Sequence, residues 1–85
     1  MGDGGDTAED PSDETVVRVA AEAAEELVFS RVDRDEIVDL DVTISFEDGV
    51  LEVDVYLHAP GVDADRIADD AALAARAAVD DLFAE

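Results

Sequence analysis

The residues able to do chemistry in this chain are few. There is one histidine, His58, and there are no cysteines and no lysines. Nucleophilic catalysis needs a hydroxyl, thiol or amine activated beside a base. His58 lies on a run that, paired antiparallel with the run before it, sets the imidazole opposite Asp39. A base oriented by a carboxylate is half of a catalytic triad. The hydroxyls that could complete it, Thr43 and Ser45, stand several residues up the strand, and at about 3.4 Å per residue Ser45 is out of reach. His58 therefore reads as a structural residue of an outer sheet face. The acid pairs Asp39/Asp41 and Asp69/Asp70 are of the kind that hold Mg²⁺ through carboxylates and retained water, but in a chain with 25 acidic residues such pairs arise from composition alone. The acids at the start, Asp3, Asp6 and Glu9, do not have calcium-loop spacing, and Gly2, Gly4 and Gly5 precede neither a lysine nor a strand-to-helix turn. The expectation is a chain with no catalytic residue, no metal site and no cofactor.

What remains is surface. Tyr56 and His58 are expected to project from the outer face of a sheet, and Phe29 and Leu73 from helices. Singly such residues are ordinary. Clustered, they mark an interface, so these four are the candidate partner contacts.

The elements that position them centre on Val38 to Ala59. Val38, Leu40, Val42, Ile44 and Phe46 alternate with polar residues, as do Leu51, Val53, Val55 and Leu57, and Asp48-Gly49 lies between the runs. Asp-Gly suits a two-residue turn with positive φ at both positions. That turn predicts the register Glu47 to Val50, Phe46 to Leu51, Ile44 to Val53, Val42 to Val55 and Leu40 to Leu57. Every large apolar residue except Val50 then falls on one face, which a one-residue slip would reverse.

A helix is predicted before the hairpin, capped at Asp10 or Ser12. Val16, Ala20, Ala23, Ala24 and Leu27 form its apolar stripe, with Arg18, Glu22, Glu25 and Glu26 opposite. It is expected to fray near Phe29, which folds under the polar connection Val32 to Glu36. After Pro60-Gly61, Asp63 caps a second helix, with Val62 and Ile67 as a hydrophobic staple. Its stripe is Ile67, Ala71, Ala74, Ala75, Ala78 and Leu82. Full burial of a Val, Leu or Ile contributes about 1.5–3 kcal/mol, so the nine inward hairpin residues are expected to outweigh both helices.

The predicted fold is α+β, an α-β-β-α two-layer domain in which an antiparallel β-hairpin carries both helices on one face. Residues 1–11 read as an acidic disordered tail and 12–85 as a single domain, near the lower size limit for one unaided core.

The formal net charge is −20, from 25 acidic residues against 5 basic ones, all arginine. Hydrophobic content is 48%, too high for a disordered acidic chain. Acids spread along the whole chain fit adaptation to a salt-rich cytoplasm better than one acidic binding site. The charge opposes direct nucleic-acid binding, which neutralises phosphates with Lys and Arg, and opposes anionic membrane surfaces. With no apolar run of membrane-span or signal-peptide length, the expected location is the cytoplasm.

Two strands leave both sheet edges open, and an isolated hairpin is marginal. Edge pairing into a homodimer or heterodimer resolves this, so a protein partner is expected.

Over residues 14–83, the helix ending in LVFSRV, the acidic hairpin and the closing Asp- and Ala-rich helix resemble a small archaeal family of unknown function, often encoded near the prefoldin beta subunit, and in composition its haloarchaeal members. There is also a likeness to the small dimer-forming subunit of the archaeal KEOPS complex, which makes the threonylcarbamoyl modification on tRNA and likewise runs helix, hairpin, helix. That subunit opens with a strand where this chain has a polar tail, and no functional residue is carried over from it. With no catalytic residues and two open edges, the expected function is a non-catalytic protein-interaction module, an accessory subunit of a larger assembly; the resemblances imply a KEOPS-like or chaperone-linked setting for it. The alternative is a small metal-dependent enzyme using the acidic sheet face.

Overall fold

The computed structural model describes residues 12–84. Helix α1 spans Asp13–Arg31, strand β1 Asp39–Glu47, strand β2 Val50–His58 and helix α2 Ala64–Phe83. The order is the predicted α-β-β-α.

Ser12 caps α1, its hydroxyl oxygen accepting from the Thr15 amide at 3.2 Å, with Asp13 and Glu14 in the first turn, where the helix dipole favours negative charge. Asp10, the other predicted cap, lies outside the described residues, as does the predicted 1–11 tail. The fraying expected near Phe29 does not occur. The helix continues to Arg31 and closes with the Val32 amide donating to the Val28 carbonyl at 2.9 Å. The connection after it does come back over Phe29: the Arg34 guanidinium sits 4.4 Å from the ring centroid, a cation–π contact. Nor is this connection wholly polar, because Val32 is buried in the core and Arg34–Glu36 form a single 3-10 turn.

The hairpin has the predicted register throughout, from Glu47 opposite Val50 to Asp39 opposite His58. Asp48 has φ 54° and Gly49 φ 79°, the positive pair that a type I′ turn requires. A Cβ at Gly49 meets nothing within 4 Å, so Gly49→Ala carries only the conformational cost of the left-handed region. Chemical denaturation in molar salt should show a loss of about 1–2 kcal/mol.

One inward residue is misplaced by the sequence pattern. Val38 is 67% exposed. Its amide donates to the His58 carbonyl at 2.8 Å, one residue out of step with the Asp39–His58 pair, and the strict alternation ends at Asp39.

Asp63 caps α2 as expected, accepting from the Arg66 amide at 3.3 Å. The two helices lie side by side on one face of the hairpin, α1 over β1 and α2 over β2. They are antiparallel: Arg31, late in α1, pairs with Asp70, early in α2. Phe83 at the end of α2 reaches Phe46 near the hairpin tip, with centroids 6.1 Å apart.

The core is Val16, Ala20, Ala24, Val28 and Val32 with Leu57, Ala59, Ile67, Ala71, Ala75 and Val79. Val28 and Val79 were not on the predicted stripes, whereas Ala23, Leu27, Ala74, Ala78 and Leu82 are only half-buried. Each buried stripe advances in steps of four residues, and its fourth member is a valine. The larger share expected of the hairpin assumed full burial, which only Leu57 reaches among its inward residues. Alanine stripes let the helices approach closely and seal each other, while side chains on a two-stranded sheet stay open to water from both edges.

Candidate interaction surface

The hairpin presents one covered and one bare face. The bare face carries Asp39, Asp41, Thr43, Ser45 and Glu47 on β1 and Val50, Glu52, Asp54, Tyr56 and His58 on β2. His58 stands opposite Asp39 and Tyr56 opposite Asp41, while Ser45 is opposite Glu52 towards the other end. The thirteen-residue path from Ser45 to His58 doubles back through the turn, leaving six ladder positions between them, about 20 Å. Thr43, opposite Asp54, is four positions away, so neither the Ser45 nor the Thr43 hydroxyl is within proton-transfer distance of the imidazole. Of the acid pairs, Asp70 is engaged by Arg31 at 2.9 Å, a half-exposed bridge of small energetic weight. Among the described residues no group of three or more His, Asp or Glu side chains is gathered tightly enough to hold a metal ion.

The four candidate contacts occupy three separate places. Tyr56 and His58 share the bare sheet face, two residues apart on one strand. Phe29 is at the end of α1, partly roofed by Arg34. Leu73, 64% exposed, is on the solvent side of α2. They do not form one patch. The sequence reading missed Phe83, which is 41% exposed despite its contact with Phe46. Its place one residue after the stripe position Leu82 was the available signal.

The more continuous unsatisfied feature is the backbone. Among the described residues the sheet has two strands, so each has one edge without a neighbour there. Glu47 and Val50 flank a two-residue turn and form a hydrogen-bonded pair. In an antiparallel ladder such pairs alternate with non-hydrogen-bonded ones. The amides and carbonyls of Leu40, Val42, Ile44 and Phe46 therefore point away from β2, and those of Leu51, Val53, Val55 and Leu57 point away from β1. These are the residues whose side chains face the helices, so each free edge combines a hydrogen-bonding row with a half-open apolar flank.

Residues 10–82 match the model of a family described as Protein of unknown function (DUF3194). The chain belongs to that family. This DUF3194 domain is also similar to an uncharacterized protein of the haloarchaeon Natronomonas pharaonis, with 47% identity over 79 residues, 92% of this chain and 95% of the relative. No solved structure matches it. No helix among the described residues is long and apolar enough to cross a membrane.

Proposed function

We propose that this DUF3194 domain is a non-catalytic protein-interaction module, an accessory subunit that joins a larger cytoplasmic assembly through a free sheet edge. The observation that carries the reading is that, among the described residues, the sheet has two strands with a row of outward amides and carbonyls on each side. Natural proteins cover, shorten or charge such edges. Here five of the ten outward side chains are carboxylates, which discourages indiscriminate pairing, yet each strand runs for nine residues. Strand addition supplies affinity through main-chain hydrogen bonds and specificity through flanking side chains. The KEOPS-like or chaperone-linked setting follows from the resemblance in sequence and is part of the proposal. The acidic surface disfavours a nucleic acid or an anionic membrane as the direct partner.

The test is recovery of the tagged protein from its native host at native salt, with mass spectrometry of what accompanies it. A stoichiometric protein partner, or a second copy of the chain, is the expected result. Absence of both contradicts the reading. Calorimetric titration with Mg²⁺ or Mn²⁺ in molar salt separates it from a metal-dependent enzyme. A saturable site of defined stoichiometry would favour the enzyme.

A further inference from the structure

We propose that two copies of this chain join along the free edge of β2, with the two-fold axis at Val55 and the α2 helices meeting at Ala72. This rests on the edge-pairing reading above and specifies which edge, which register and which helix flank.

The amides and carbonyls of Val53, Val55 and Leu57 point off the hairpin on the β2 side. In antiparallel pairing about Val55, Val55 exchanges both hydrogen bonds with its own copy, and Val53 pairs with Leu57 of the other copy. On the bare face this register sets Asp54 opposite Tyr56 and Glu52 opposite His58, each twice. Every acid in the seam then meets a side chain able to donate a hydrogen bond, a phenol or an imidazole. The alternative that pairs all of β2, centred on Asp54, sets that carboxylate against itself, and like charges directly opposite are destabilising.

The helix above the edge fits the same axis. Asp70 and Ala74 lie on the side of α2 towards α1, where Arg31 pairs with Asp70 and Leu27 lines a surface groove together with Ala74. The opposite flank, above the free edge of β2, carries Ala68 and Ala72, both half-buried. Val55 lies about 10 Å from the end of β2, and Ala72 about 12 Å from the start of α2, which runs back along that strand. The axis through Val55 therefore passes close to Ala72. Asp69 and Arg76 lie on the same flank, two turns apart, on either side of Ala72. A two-fold there sets each Asp69 beside Arg76 of the other copy, and the two alanines let the helices approach. Asp65 falls at the end of this seam.

The helix flanks alone do not separate the two edges, because Arg18 and Glu25 stand about Ala21 on α1 as Asp69 and Arg76 do about Ala72. The bare face does: the exposed large hydrophobic residues of the hairpin strands, Val50 and Tyr56, are both on β2, and β1 exposes none between Asp39 and Glu47. A seam on the β2 edge covers Tyr56, and one on the β1 edge leaves it in water.

The chain has no cysteine, so single-cysteine variants report the seam without background. Full-length Ala72→Cys and Ala21→Cys are each treated in molar salt with a short bismaleimide. Ala72→Cys is expected to give a covalent dimer and Ala21→Cys to stay monomeric on a denaturing gel. The reverse pattern moves the seam to β1 and overturns the inference. A dimeric mass by light scattering with neither variant cross-linking also overturns it, but leaves edge pairing standing. A monomeric mass for the unmodified chain overturns the inference, and the pairing reading falls with it only when no other protein accompanies the tagged chain from its host. Val53→Pro removes an amide donor aimed off the hairpin and no β1–β2 bond. It is expected to reduce the mass to that of one chain with the circular dichroism retained, whereas Val42→Pro keeps the dimer. A Val53→Pro chain that stays folded and dimeric contradicts the inference.

Discussion

In dilute buffer the domain loses its helical circular dichroism, and in molar KCl it regains it. The chain carries a net charge of −20 on 85 residues, and the ion pair found among the described residues is the half-exposed Arg31–Asp70 bridge. Most acids therefore repel one another without local compensation. The Debye length is about 30 Å at 0.01 M salt and about 3 Å at 1 M. At the lower concentration every acid feels the others across the domain. At the higher one it feels only immediate neighbours. The core that must resist this repulsion is small and built largely from alanine and valine. Marginal domains hold roughly 5–15 kcal/mol, and a short Ala-lined core belongs at the low end. Replacing Asp39, Asp41, Glu52 and Asp54 with Asn or Gln is expected to shift the folding midpoint to lower salt. A spectrum unchanged between dilute buffer and molar salt contradicts the account.

Ala24→Asp, by contrast, leaves the chain unfolded at every salt concentration. Ala24 is fully buried between the helices, and the described core contains no buried polar group that could pair with a carboxylate. An uncompensated buried charge costs about 3–5 kcal/mol, which approaches the whole stability of a domain this size. Salt screens charge in water and leaves the desolvation penalty untouched, so the two perturbations separate. Ala24→Gly removes little packing and costs about 1 kcal/mol of helix propensity. It is expected to fold with a modestly raised salt midpoint. Salt-dependent melting curves of the two variants check both points, and a folded Ala24→Asp protein in molar salt would show that this position is not core.

The hairpin was legible because two independent signals agree there. Asp48-Gly49 names the turn, and the alternation from Leu40 to Leu57 admits one register that keeps the apolar set together. Both cap residues, Ser12 and Asp63, were legible for a similar reason: a short polar side chain precedes each periodic run. Val38 was not legible, since its fate depends on how the chain enters the sheet after the 3-10 turn. Alternation alone carries no mark of where pairing falls out of step. Val28 was missed because the stripe was followed to Leu27, and both positions are apolar. Only the seating of α1 against α2 selects one of them for full burial. The same limit applied to the candidate surface. Counting strands exposed the open edges, but the flanks of α2 are distinguished by the Arg31–Asp70 bridge and the groove that Leu27 and Ala74 line together, which fix its rotation. The sequence placed Ala74 on the predicted stripe and left Ala68 and Ala72 unassigned, with nothing to mark them as a flank. The four side chains singled out by exposure proved scattered because exposure in sequence carries no information on proximity between elements.

The central claim is that the open sheet edge is an interaction surface, and the mass of the purified chain in molar salt tests it most directly. Size exclusion coupled to light scattering at micromolar protein is expected to give twice the chain mass of 9.0 kDa, with the dimer persisting on dilution through that range. A mass of 9.0 kDa across the same range, for a protein whose circular dichroism shows it folded and which no other protein accompanies from its host, would contradict the account.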